Sequence, residues 1–174
     1  MGTPTSRRIV VILCVTAIAG LAGCASPPER DAMTVNTPAA KRHPYSVSVQ
    51  TPFNSEATAT ERPNRLKEAI ENSIVQSGLF RSVEAKNADY ELTVTVTQIT
   101  RPHFGLDFTV TVEAAWALVK GADRTVAMRK VIKSSHTATV GDAVVGATRG
   151  RLALEGATRD NIAQGLEAIS ELSL

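Results

Sequence analysis

The sequence is poor in the residues that most often carry chemistry in a small protein. Its 174 residues include two cysteines, three histidines, one tryptophan, two tyrosines and four phenylalanines. With aromatics at 4%, a core must be built from Val, Ile, Leu and Ala. There is no G-x-S-x-G elbow, no H-E-x-x-H pair and no closely spaced cysteine pair, so the common signatures of serine hydrolases, zinc proteases and cysteine metal sites are missing. No period of roughly 20–50 residues recurs, which excludes a solenoid.

The remaining candidates for chemistry are scattered. Gly141–Thr148 has the two-glycine spacing of a phosphate loop, but Ala147 stands where the phosphate-neutralising lysine belongs, so the stretch reads as a loop entering a helix. His43, His103 and His136 fall in separate segments, none with a second ligand at metal-binding spacing. Asp107 and Glu113 share a strand face, yet six residues of strand separate them by about 20 Å, too far for an acid–base pair. Arg149, Arg151 and Arg159 suit either an acidic or phosphate-bearing partner or a solvated helix face balanced by Glu155. No catalytic residue, metal ligand or cofactor site is assigned, and the chain is expected to act without catalysis.

Long apolar runs are also scarce; there is one. Ile9–Ala22 follows Arg7 and Arg8 and carries no charge. Its fourteen residues span roughly 21 Å as a helix, short of a bilayer core of about 30 Å. That length predicts the apolar region of a signal peptide, residues 1–23, and not a transmembrane helix. The run ends in Leu21-Ala22-Gly23-Cys24, which resembles the lipobox of bacterial lipoproteins. The resemblance implies that the Cys24 sulfur receives a diacylglycerol, that the bond before it is cut and that the new amino terminus is acylated. Because Ala25 and not Asp follows the cysteine, it also implies the outer membrane, with the domain facing the periplasm.

Removing residues 1–23 takes Cys14, Arg7 and Arg8 with it. Lys and Arg then fall from 19 to 17, equal to the 17 acids, so the mature chain has no basic surplus and nucleic acid is not expected as a partner. Cys24 is left as the one cysteine, which leaves no disulfide and no free thiolate. Residues 24–44 contain four prolines and no periodicity, and read as a flexible tether between the lipid and a single domain of residues 45–174.

Within 45–174 the pattern becomes regular. Tyr45, Val47 and Val49 alternate with polar residues as a short strand. Pro63 opens a helix whose stripe is Leu66, Ala69, Ile70 and Ile74, and Gly78 stops it; Leu79, Phe80 and Val83 then anchor the exit on the core. Tyr90–Val96 and Leu106–Leu118 alternate strictly, and a third strand follows from Val126 with Lys130 out of pattern. From about residue 144, and firmly from 151, the spacing turns helical, with Leu154, Ala157 or Thr158, Ile162, Leu166, Ile169 and Leu172 on one side. Four glycines lie in this stretch, which implies either a backbone pressed against the sheet or a fraying start.

The expected fold is α+β, a two-layer sandwich in the order β-α-β-β-β-α. Its antiparallel sheet of about four strands carries two helices on one face. On the other face Thr93, Thr95, Thr97, Thr109 and Thr111 make a flat, weakly charged patch. Such a patch either receives a partner or an added strand, or is a solvated face of residues with good strand propensity. Lipobox, tether and helix-on-sheet layout together resemble small periplasm-facing lipoproteins that serve envelope machinery. The resemblance implies a membrane-anchored accessory, assembly or scaffold subunit with a protein partner in the envelope. The alternative is a carrier of a small ligand or lipid, held in a pocket between helices and sheet.

Overall fold

The computed structural model describes residues 28–52 and 63–174. Residues 1–23, expected to be a signal peptide, and Cys24 lie outside the described residues. The elements in chain order are α1 (Arg30–Met33), β1 (His43–Gln50), α2 (Pro63–Ser77), β2 (Phe80–Val83), β3 (Tyr90–Thr100), β4 (Phe108–Lys120), β5 (Val126–Ala138) and α3 (Gly146–Ser170).

The strands form one sheet in the order β2-β1-β3-β4-β5, with β3, β4 and β5 an antiparallel meander. β1 runs parallel to both β2 and β3, so the sheet is mixed and five-stranded, where a four-stranded antiparallel one was expected. The additional strand is β2. Its four residues are too few to show alternation, and only Phe80 and Val83 are large and apolar. What makes them a strand is the turn at Gly78, where φ is +65°, which sends the chain back alongside β1 with His43 opposite Phe80. β1, α2 and β2 thus make a compact parallel crossover unit.

α2 buries the expected stripe of Leu66, Ala69, Ile70 and Ile74. β4 alternates with full regularity from Val110 to Leu118, all five inward residues being buried. Leu106 was expected to begin that strand, but it lies in the loop before it and is exposed. α3 crosses β4 and β5 on the same side of the sheet as α1 and α2. It lies close: a Cβ added at Gly165 would meet the Trp116 ring at 2.5 Å, and one at Gly156 would meet His136. Two of the four glycines are therefore where the helix backbone touches the sheet, and the helix is continuous from Gly146.

The largest departure from expectation is at the amino-terminal side. In place of a flexible tether through residue 44, the chain from Pro28 lies packed across the helices, and β1 begins at His43. Met33, Thr34 and Val35 are buried, and α1 is a third helix wedged against α2 and α3. The Val35 N–H donates to Ser73 Oγ at 2.9 Å, the Ala39 N–H to the Ser77 carbonyl at 3.0 Å and Arg65 to the Pro28 carbonyl at 2.5 Å. Glu29 N–H donates to the buried Glu155 carboxylate at 2.8 Å, which also accepts from Arg151 at 2.7 Å. Prolines suppress the periodicity that marks an element in sequence; they do not prevent single residues such as Met33 and Val35 from filling a groove.

Candidate interaction face

Both long helices and the α1 segment lie on one side of the sheet, so among the described residues the other side carries no helix. Its composition follows from register. Across β3, β4 and β5 one row is Thr95, Ala115 and Val131, and the next is Thr93, Ala117 and Arg129. Toward the other end, Glu113 stands opposite Lys133, Thr111 opposite Ser135 and Thr109 opposite Thr137. The expected threonines therefore share a face, but they divide into two groups.

Thr93 and Thr95 are half-buried at the middle of the face, beside the small side chains of Ala115 and Ala117. Thr109 and Thr111 are hydrogen-bonded to β5, their hydroxyls lying 2.8 Å from those of Thr137 and Ser135. Thr97 departs from the pattern. A register shift between Val96 and Gln98 puts Gln98 opposite Glu113 and Thr100 opposite Thr111, while the Thr97 hydroxyl donates to the Glu113 carbonyl at 3.1 Å. It occupies a β-bulge, which increases local twist and breaks the flatness of the patch.

Several residues of this face were missed by sequence reasoning. Arg129, Val131, Lys133, Ser135 and Thr137 supply its β5 edge, and all five are exposed. Their signal was present in the alternation around Met128, Ile132 and Ser134, but Lys130 interrupts it. Ser48 and Gln50 extend the face across β1, opposite Glu91 and Thr93. The rim is charged: Arg124 pairs with Glu91 at 2.8 Å, and Arg81 with Asp89 at 3.4 Å. Ser46 holds Asp89 from its backbone N–H and its hydroxyl, both at 2.8 Å. These bonds, the backbone one first, keep the Asp89 carboxyl below its ordinary value of 3.8, with Arg81 adding to the effect.

The histidines remain apart. His43 is buried, its Nε2 3.0 Å from the Ile169 carbonyl; His103 is exposed in the β3–β4 loop; His136 lies beside Asp160 at 3.4 Å. Among the described residues, no group of three or more His, Cys, Asp or Glu is arranged to hold a metal. Where α3 crosses the sheet, the backbone at Gly156 and Gly165 touches His136 and Trp116, and a cleft of about 220 Å³ lies beside Gly156 between α3 and the end of β5. The clefts lie at the surface. One of about 450 Å³ is flanked by Arg42, Val75 and Arg81, and one of about 330 Å³ lies between Val35–Ala40 and the ends of α2 and α3.

The fold defined by this geometry is a two-layer α+β sandwich with one bare sheet face, and it has counterparts among solved structures. The sequence matches no family model and no curated protein. Protein XCC0632 from Xanthomonas campestris, of family DUF330, superposes with a TM-score of 0.60 at 15% identity, over 78% of this chain and 89% of that one. PelC from Paraburkholderia phytofirmans, a dodecamer, gives 0.53 at 19% identity, over 76% and 93%. Lipoprotein B from Nitrosomonas europaea gives 0.50 at 15% identity, over 79% and 89%. At these identities the likeness is one of fold.

Proposed function

We propose that this protein is a bacterial lipoprotein, anchored through Cys24 to the outer membrane on its periplasmic side. There it acts without catalysis as an assembly or scaffold subunit through its bare sheet face. The observation that carries the interaction role is the one-sidedness of the fold: every described helix packs on one face, and the other presents Thr93, Thr95, Ala115, Ala117 and Val131 to solvent at its centre. Half-buried threonines and alanines ringed by charge form a surface that a partner covers with little desolvation of charged groups. The anchor rests on Leu21-Ala22-Gly23-Cys24 after an apolar run of signal-peptide length, and Ala25 supports the outer membrane. That lipoprotein B of N. europaea has this fold supports the anchor. That PelC builds a dodecamer from it supports assembly.

Two experiments test the proposal. Cys24→Ser abolishes palmitate labelling and releases the domain from membranes; continued labelling overturns the anchor. A photo-crosslinking residue at Thr95 captures a discrete envelope protein that the same residue at Gln164, on an exposed turn of α3, does not. Capture of bulk abundant proteins equally from both positions overturns the interaction role.

A further inference from the structure

Exposed large apolar side chains are unevenly distributed over the molecule. Phe104 and Leu106, 88% and 76% exposed, lie in the β3–β4 loop. Val140, Val144 and Val145 lie in the β5–α3 loop, with Val144 85% exposed. Both loops leave the same end of the sheet, because Phe108 at the start of β4 is paired with Ala138 at the end of β5. Their bases are bound together. The Arg149 guanidinium sits 5.3 Å from the centre of the Phe108 ring and donates to the carbonyls of Ala143 and Val144, both at 2.7 Å. Arg149 is buried, and its bonds fix the backbone at Ala143 and Val144, where Val144 and Val145 are exposed. Asp142 is engaged locally by the Thr139 N–H and hydroxyl.

The same end is where the chain arrives from its amino terminus. Pro28 is bonded to Arg65 in the first turn of α2, and Glu29 to Glu155 in the third turn of α3. Both helices begin at the end of the sheet that carries the two loops. Along α3, Glu155 is about 14 Å from the helix start. Cys24 precedes Pro28 by four residues, a reach of at most about 14 Å. The packed 28–42 segment thus leaves a step of four residues from Cys24 to the point at Pro28 where the chain is fixed on the domain, on the half of α3 nearer the two loops.

We propose that the 101–107 and 139–145 loops seat their apolar side chains in the lipid surface beside the acyl anchor, as a second point of attachment. The inference rests on the reading of Cys24 as lipidated. Phe and Leu exposed in a loop that also carries polar residues suit the headgroup–acyl boundary, where apolar side chains enter and polar ones stay at the surface. Two points of attachment orient the domain. The strands then stand on the membrane, and the bare sheet face looks along it toward neighbouring envelope proteins.

The test uses the full chain, processed by a lipoprotein-competent host and reconstituted into vesicles of phosphatidylethanolamine and phosphatidylglycerol. An environment-sensitive fluorophore is attached at Leu106→Cys or, at the opposite end, at Ala122→Cys. The expected result is a blue shift and quenching by shallow nitroxide lipids at position 106, neither at position 122, and loss of both at 106 when Phe104→Asp and Val144→Asp are added. Position 106 unquenched, or capturing a protein when a crosslinker replaces the fluorophore, overturns the proposal. The mass of the amino-terminal peptide from the same sample reads lipidation separately. Lipid present with position 106 unquenched overturns this inference and leaves the lipoprotein reading standing. An unmodified Cys24 overturns the lipoprotein reading and this inference with it.

Discussion

The indole Nε1 of Trp116 donates to Oδ1 of Asn161 at 3.0 Å, and Nδ2 of Asn161 donates to the Ile132 carbonyl at 2.9 Å. One buried amide thereby joins α3 to both β4 and β5. All of these groups are out of contact with water, so each depends on the other for a partner. Asn161→Ala leaves an indole N–H and a backbone carbonyl unpaired and is expected to cost about 2–4 kcal/mol. Asn161→Leu restores the volume without the bonds. If it is as destabilising as Ala in urea titrations, with the denaturant slope unchanged, the hydrogen bonds and not the packing are responsible.

Gly165 and Gly156 both lie against rings, but the two rings differ in freedom. Trp116 is fully buried at the centre of the core and has nowhere to move, whereas His136 is half-exposed at the sheet edge. Alanine at either site gains helix propensity of about 1 kcal/mol. At Gly165 the clash outweighs that gain, and Gly165→Ala is expected to destabilise by about 1–3 kcal/mol. At Gly156 the histidine can turn outward, so Gly156→Ala is expected to be the milder change. Thermal unfolding of the two variants side by side checks the order, and equal loss would contradict it.

The packed amino-terminal segment makes a prediction about boundaries. A chain beginning at Tyr45 lacks Met33 and Val35 from the core, the Val35–Ser73 bond, and the His43 bonds to Leu79 and Ile169. It is expected to unfold at clearly lower urea than one beginning at Ala25. Met33→Ala within the longer chain should by itself cost about 2–4 kcal/mol. Equal midpoints for the two chains would return residues 28–42 to the role of a linker.

Acid should weaken the β1–β3 junction in a defined direction. The folded state holds the Asp89 carboxyl below its ordinary value of 3.8, so folding favours the ionised form. Its contribution is complete above that ordinary value and disappears as pH falls below it toward the lowered one. Urea midpoints are therefore expected to drop as pH falls below about 4, and Asp89→Asn should flatten part of that drop. Asp123 and Asp142, also lowered by backbone hydrogen bonds, act in the same direction. An Asp89→Asn profile as steep as that of the parent chain would remove Asp89 from the account.

Much of the helix layer and the meander was legible because periodicity records burial directly. The stripe from Leu66 to Ile74, the alternation from Val110 to Leu118 and the stop at Gly78 each depend on a residue and its near neighbours. β2 was not legible, since four residues hold no period and its strand character comes from lying beside β1. Nor was the bulge at Thr97, where the β3–β4 register shifts by one residue, since that shift is a property of the paired strands and not of either one alone. Its consequence falls on the candidate face: five threonines that look equivalent in sequence become two that are half-buried beside alanines, two that are tied to β5 and one that interrupts the plane.

The lipobox-like end of the apolar run, the absence of a basic surplus once residues 1–23 are removed, and the helix-on-sheet character are local properties, and the amino-acid sequence by itself determined them. Tertiary structure alone decided how far the folded part extends toward Cys24 and which residues share the bare face. It also gathered Phe104, Leu106 and Val144 at the end where the chain arrives. Those outcomes depend on pairing between residues far apart in the chain. Met33 finds its groove only when α2 and α3 are side by side, and the two apolar loops become neighbours only when Phe108 pairs with Ala138.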